Sequence, residues 1–228
     1  MVLLGATALL FMHHYLVTNG WVSYTLVTQL HVWLRPLPFE ASEWVHSRPD
    51  LISNLGWALA SIMIWGVLPA IALRSTYGIP FSDLGWGKPQ NTPWQVLGGC
   101  TIGLLVFILV VKDLPDFRAT YPFFKSDVIW PDWVVFEYVY LGQFIALEFF
   151  FRGAMLHLLE RQIGETSVWI TTLPYVMIHF QKPWLETIGA VFAGVGLAYL
   201  SLRTRSIWPG VLLHVTVALA MDFISLLS

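Results

Sequence analysis

The chain has 228 residues, of which 57% are hydrophobic and only 11% charged, a balance more apolar and less charged than water-soluble domains carry. A formal net charge of −2 offers no basic excess for nucleic acid, and the one cysteine, Cys100 in an apolar run, can build neither a disulfide framework nor a thiolate zinc site within one chain. The expected fold class is all-α, a polytopic transmembrane helix bundle of about seven or eight spans, and the 12 tryptophans suit rings resting at headgroup level.

Residues 2–17 form the first apolar run; with no positive leading region and no small-residue cleavage site it reads as a retained membrane segment. Residues 21–34 (WVSYTLVTQLHVWL) are shorter and suit an interfacial segment or the second limb of a helical hairpin. Residues 52–73 are a clear span in which Pro69 is expected to introduce a kink or unwind the last turn, with Arg74 ending it. After a Gly/Pro-rich loop, residues 95–111 give the next span, stopping at Lys112. Residues 112–132 mix both charge signs with proline and aromatics and read as an interfacial loop. A long helix from about Trp133 to Leu159 follows, then apolar runs at 166–180, 183–202 and 206–227. In the penultimate run the pairs Gly189/Ala193, Ala190/Gly194 and Gly194/Ala198 allow close helix approach in lipid, which places that helix centrally. The chain divides into N-terminal membrane helices, 1–79, and a second unit, 80–227. Lysine and arginine are nearly balanced between alternate loops, so they assign no orientation.

Charge inside an apolar span is costly and usually faces a bundle interior or a wet cavity. Glu148 and Arg152 lie one turn apart on one helix face, in the favourable order, and can offset each other as a structural ion pair. His179, with Tyr175 one turn before it, and His214, one turn into the last run, are the other interior polar residues. Each histidine alone fits a hydrogen-bonded core position. Together with a buried acid they match the smallest protein shell of a catalytic divalent-metal site that keeps a position open for water, drawn here from three helices. No HExxH or HxxEH pattern occurs; His157 and Glu160 fall at a helix end and read as interfacial. His13, His14, His31 and His46 have no ligand spacing and read as headgroup-facing. Gln143, one turn before Leu147, could orient a water. Glu137 lies about 16 Å along the helix axis from Glu148, and Asp222 about 12 Å from His214, too far to join them. A small transporter using these groups as a proton relay is a further class to consider.

Three stretches in this order, LEFFFR (147–152), YVMIH (175–179) and HVTVA (214–218), resemble the CPBP family (CAAX protease and bacteriocin-processing, or Abi), whose motifs are EExxxR, FxxxH and HxxxN. Gly153, SIWPGVLLH and FSDLGWGKP are also in the family's style, and the resemblance covers roughly residues 80–227. It implies an intramembrane metalloendopeptidase that cleaves peptide bonds of a membrane-associated or prenylated substrate, with CAAX-type processing as the model. Zn2+ would be held by His179 and His214. Glu148 would take the proton from water, Arg152 would fix that carboxylate or carry transition-state charge, and Tyr175 and Gln143 would support them. The implied partners are a peptide or protein substrate at or in the membrane and the bilayer itself, with no nucleic acid, in a prokaryotic cell membrane. Two positions depart from the family pattern: Leu147 stands where the first glutamate would activate water, and Ala218 where the asparagine would stand. These support the competing expectation of a catalytically impaired relative acting as a scaffold, immunity or partner-binding protein.

Overall fold

The computed structural model describes residues 2–22, 24, 25, 28, 29, 43, 47–126 and 129–227. Most of the 21–34 run, His31 and His46 lie outside them. Eight helices are used below: α1 (Val2–Thr18), α2 (Pro49–Thr76), α3 (Trp94–Val111), α4 (Pro115–Thr120), α5 (Trp130–Ile163), α6 (Thr166–Met177), α7 (Trp184–Thr204) and α8 (Trp208–Leu226). No strand occurs among the described residues. Helices α2, α3, α5, α7 and α8 are long and apolar enough to cross a membrane, and α1 is a shorter apolar helix. The chain is an integral membrane protein of the all-α class.

Helix α2 runs unbroken past Arg74 to Thr76. Pro69 cannot donate to the helix ladder, and the wide π turns at Met63–Val67 and Ala72–Thr76 on either side of it absorb the mismatch. The central helix is α5, with 61% of its apolar window buried against 28% for α7. The small-residue helix therefore flanks the bundle, contrary to the expectation that it sits centrally. Its small residues still do what lipid packing asks of them: Ala190, Gly194 and Ala198 are buried where α6 lies along α7, and a Cβ on Gly194 would stand 2.8 Å from Thr172 Cγ2. Gly189, Ala190 and Ala193 also border a cavity.

Two connections fix the ends of the bundle. The stretch after α2 forms a short 3-10 turn, Phe81–Leu84, and leaves it through Gly85 at φ 72°, a left-handed conformation suited to glycine. From there it is stapled to α7 and α8. The Ile207 N–H donates to the Gly85 carbonyl at 2.9 Å, the Ser206 hydroxyl to the Gly87 carbonyl at 2.7 Å, and the Gln90 N–H to the Thr204 carbonyl at 2.8 Å. A Cβ on Gly153 of α5 would lie 2.7 Å from the Leu84 carbonyl oxygen, so the glycine after Arg152 is required by this loop. At the opposite connection, residues 112–126 fold against the bundle, where a simple interfacial loop was expected. Tyr121 and Phe124 are buried, and the Phe123 ring stacks on Tyr140 of α5 at 5.0 Å and 14°. On its outer side, Lys112 and Arg118 bond the exposed Asp113 and hold its carboxyl below the usual range.

Candidate functional site

The LEFFFRG stretch spans the junction at which α5 widens into a π turn, Phe149–Met155, a distortion often found at functional sites. Consecutive residues in a helix point in different directions, and here the difference separates Leu147 from Glu148. Leu147 borders a cavity of about 370 Å3. Glu148, fully buried, is directed instead at α8, where Gly210 makes room: a Cβ there would lie 2.8 Å from Glu148 Oε2. Its other oxygen, Oε1, stands 3.3 Å from Arg152 Nη1 and accepts a hydrogen bond from His214 Nδ1 at 3.0 Å.

Arg152 is 2% exposed. Its guanidinium carbon lies 3.9 Å from the centroid of the Tyr175 ring, so the charge is shared between a carboxylate and an aromatic face. Neither Nη nitrogen makes a hydrogen bond with the protein, and neither does Glu148 Oε2. The pair is thus held by charge, packing and His214, with donors and acceptors left over.

His179 lies just past the end of α6, in the turn that leads to α7. Its Nδ1 donates to the Tyr175 carbonyl at 2.7 Å, and its own carbonyl accepts from the Thr187 hydroxyl at 2.6 Å. Donation from Nδ1 fixes the tautomer, because a carbonyl can only accept. The same assignment follows for His214, whose Nδ1 faces a carboxylate oxygen. Both imidazoles therefore offer a lone pair at Nε2, and both rings line the cavity. Tyr175 connects the two halves of the site, its ring 4.7 Å from His179 and 6.3 Å from His214. Gln143 also lines the cavity, as does Ala218.

Of the residues singled out in the sequence, Glu148, Arg152, Tyr175 and His214 come together directly, and His179 joins them through Tyr175 and the shared cavity. Glu148 and Arg152 take no part in the cavity wall. His157, read as interfacial, is buried and bonds the Ser201 hydroxyl at 3.2 Å, while Glu160 pairs with Arg205 near the surface. His13 is not headgroup-facing: its Nε2 meets the Ser61 hydroxyl at 3.1 Å, its ring packs 4.7 Å from Trp65, and it borders the same cavity. His14 is exposed. No spacing in the sequence pointed to His13, since only tertiary packing of α1 on α2 brings it there.

A second polar group at the cavity was equally illegible. The Tyr121 hydroxyl donates to Glu186 Oε2 at 2.7 Å, and the Lys182 ammonium lies 4.2 Å from the Phe123 ring centroid and 3.5 Å from the Tyr121 oxygen. Burial pushes the Lys182 pKa down against the pull of Glu186 and Asp222, and burial with the nearby Glu186 charge pushes the Tyr121 phenol well up. All three residues border the cavity.

The donor set falls one ligand short of a catalytic zinc site, which takes three protein ligands and leaves a fourth position open. Two imidazole Nε2 atoms are available, but among the described residues no group of three His, Cys, Asp or Glu side chains is arranged to hold a metal ion. The carboxylate that could have completed the set serves as a brace for His214.

A helical membrane bundle with a buried Glu–Arg–His cluster beside an apolar cavity is the class that this geometry defines. Residues 129–220 match the family model described as type II CAAX prenyl endopeptidase Rce1-like, and this match supports CPBP family membership for the segment carrying the site. At family level the matched segment is CAAX-protease-like. No curated protein and no solved structure matched the chain.

Proposed function

We propose that this CAAX-protease-like membrane protein receives an apolar segment of a membrane-associated partner, such as a prenylated peptide end, in the cavity beside His179 and His214, and holds it without cleaving it. One observation carries this reading: the cavity wall beside the histidines has Leu147, while the neighbouring carboxylate of Glu148 is buried, turned to α8 and bonded to His214. Hydrolysis needs a base within reach of the water it activates. Leucine cannot serve, and Glu148 is engaged as a positioning group for His214. Ala218, also on the wall, adds no donor to stabilise a developing oxyanion. The cavity wall is dominated by apolar side chains, as ligand pockets for apolar groups are.

A second reading, a working endopeptidase, is supported by the two imidazoles that share one cavity with their Nδ1 atoms engaged and their Nε2 atoms free. In it His179 or His214 would accept the proton of an attacking water, Arg152 would steady the Glu148 brace, and Tyr175 and Gln143 would position the substrate. The two readings are separated by presenting a fluorescent farnesylated peptide to the protein in nanodiscs and recovering it for mass measurement. Retention of intact peptide, lost on filling the cavity with Ala193→Trp, is the expected result. Peptide fragments that disappear with His179→Ala would establish the endopeptidase instead. No binding at all would remove the proposal.

A further inference from the structure

Glu137 of α5 and Asp222 of α8, too far along their helices to join Glu148 and His214, are brought to each other by the packing of those two helices. Glu137 is 4% exposed and Asp222 is fully buried. Asp222 Oδ1 accepts a hydrogen bond from the Phe123 backbone N–H. The other three oxygens, Asp222 Oδ2 and both of Glu137, are buried without a protein donor, although the two carboxyl groups stand within side-chain hydrogen-bonding reach of one another.

Two ionised carboxylates in that position would be acceptors facing acceptors, with like charges close together, an arrangement that buried groups avoid. The charged and titratable neighbours relieve it only in part, through the attraction of the Lys182 ammonium to Asp222, and none of them is seen to donate a hydrogen bond to the three remaining oxygens. Tyr121 from the 112–126 segment donates to Glu186 of α7, and Lys182 of the α6–α7 turn holds its ammonium over the Phe123 ring. Tyr140, on α5, is the remaining titratable group near the pair. A single proton supplies the missing donor: carried on one carboxyl, its O–H donates to the facing oxygen of the other.

We propose that Glu137 and Asp222 bind one proton between them, forming a proton-binding site that ties α8 and the 121–124 segment to α5. The site communicates with the cavity through Phe123. Its backbone N–H is held by Asp222, its ring stacks on Tyr140, and the same ring seats the Lys182 ammonium; Tyr140 and Lys182 both line the cavity. When the proton is lost to bulk water, the two carboxylates repel, Asp222 draws away with the Phe123 backbone, and the polar end of the cavity loosens.

The test uses full-length protein in nanodiscs and does not involve a bound peptide. Infrared spectra at neutral pH are expected to show a protonated carboxyl C=O band that is lost in both Glu137→Gln and Asp222→Asn, since either amide supplies a permanent N–H donor and lets the remaining acid ionise. Thermal unfolding across roughly pH 6 to 10 provides the second readout. The folded state holds a proton that the unfolded chain releases, so the wild-type unfolding equilibrium shifts by up to about tenfold per pH unit toward the unfolded form as pH rises. Glu137→Gln flattens that dependence. Should Glu137→Gln fail to fold, Asp222→Asn carries the same expectation, and the wild-type band stands without either. Absence of the band from wild type, or parallel pH profiles for wild type and a folded variant, would overturn the proposal.

Discussion

Replacing Glu148 by glutamine keeps the shape of the side chain and removes its charge, leaving the guanidinium of Arg152 buried with its ion-pair partner gone. The side chains of the pair are 3% and 0% exposed at 3.3 Å, so solvent contributes little screening. Breaking a buried pair from one side costs about 3 to 5 kcal/mol. The low end applies here, because the Tyr175 ring 3.9 Å from the guanidinium carbon retains a cation–π attraction of about 2 kcal/mol in a desolvated setting. A loss of about 3 kcal/mol corresponds to roughly a hundredfold in the folding equilibrium. Removing both charges in Glu148→Gln/Arg152→Met should recover most of that loss, since an apolar replacement of a whole buried pair is often neutral. Reversible unfolding of the micelle-solubilised protein by denaturing detergent, followed by tryptophan fluorescence, measures both. A Glu148→Gln variant within about 1 kcal/mol of wild type, or a double variant as unstable as the single, would refute the electrostatic reasoning.

Gly153→Ala places a Cβ 2.7 Å from the Leu84 carbonyl oxygen, a backbone atom with little room to retreat, and should lower stability by about 1 to 3 kcal/mol in the same unfolding assay; an unchanged midpoint would contradict the close packing. Lys182→Met tests the buried ammonium. Because burial lowers the folded-state pKa of Lys182, the folded state gives up the proton at lower pH than the unfolded chain does, and this one group's contribution to stability grows with rising pH up to the ordinary lysine range, opposite in sign to that of the Glu137–Asp222 pair. The variant lacks that gain, so the stability difference should move in favour of wild type as pH rises; a difference independent of pH would count against it. Metal analysis of purified wild type and of His179→Ala/His214→Ala should find no stoichiometric zinc in either, and one zinc per chain that disappears in the variant would show a completed donor set.

The apolar runs were long enough to mark nearly every helix, because membrane thickness demands length and composition that a sequence displays openly. The charged interior positions were legible for the same reason: Glu148, Arg152 and His214 stand out in apolar surroundings, and they meet. What spacing could not convey was direction. Whether Leu147 or Glu148 faces the cavity depends on the rotation of α5 through its π turn and on the gap opened by Gly210 across the bundle. The partners of Glu137, Lys182 and His13 were hidden for a related reason, since each is defined by a contact between segments far apart in the chain. Small-residue pairs in α7 did identify a close helix contact, with α6, yet a close contact does not make a helix central.

The most direct measurement is single-turnover cleavage of a farnesylated peptide with enzyme in excess in nanodiscs, comparing wild type with Leu147→Glu, which restores a carboxylate to the cavity wall. With leucine at that position, wild type should leave the peptide intact over hours while still retaining it. Product formed by wild type and abolished by His179→Ala would contradict a binding site that has lost its chemistry.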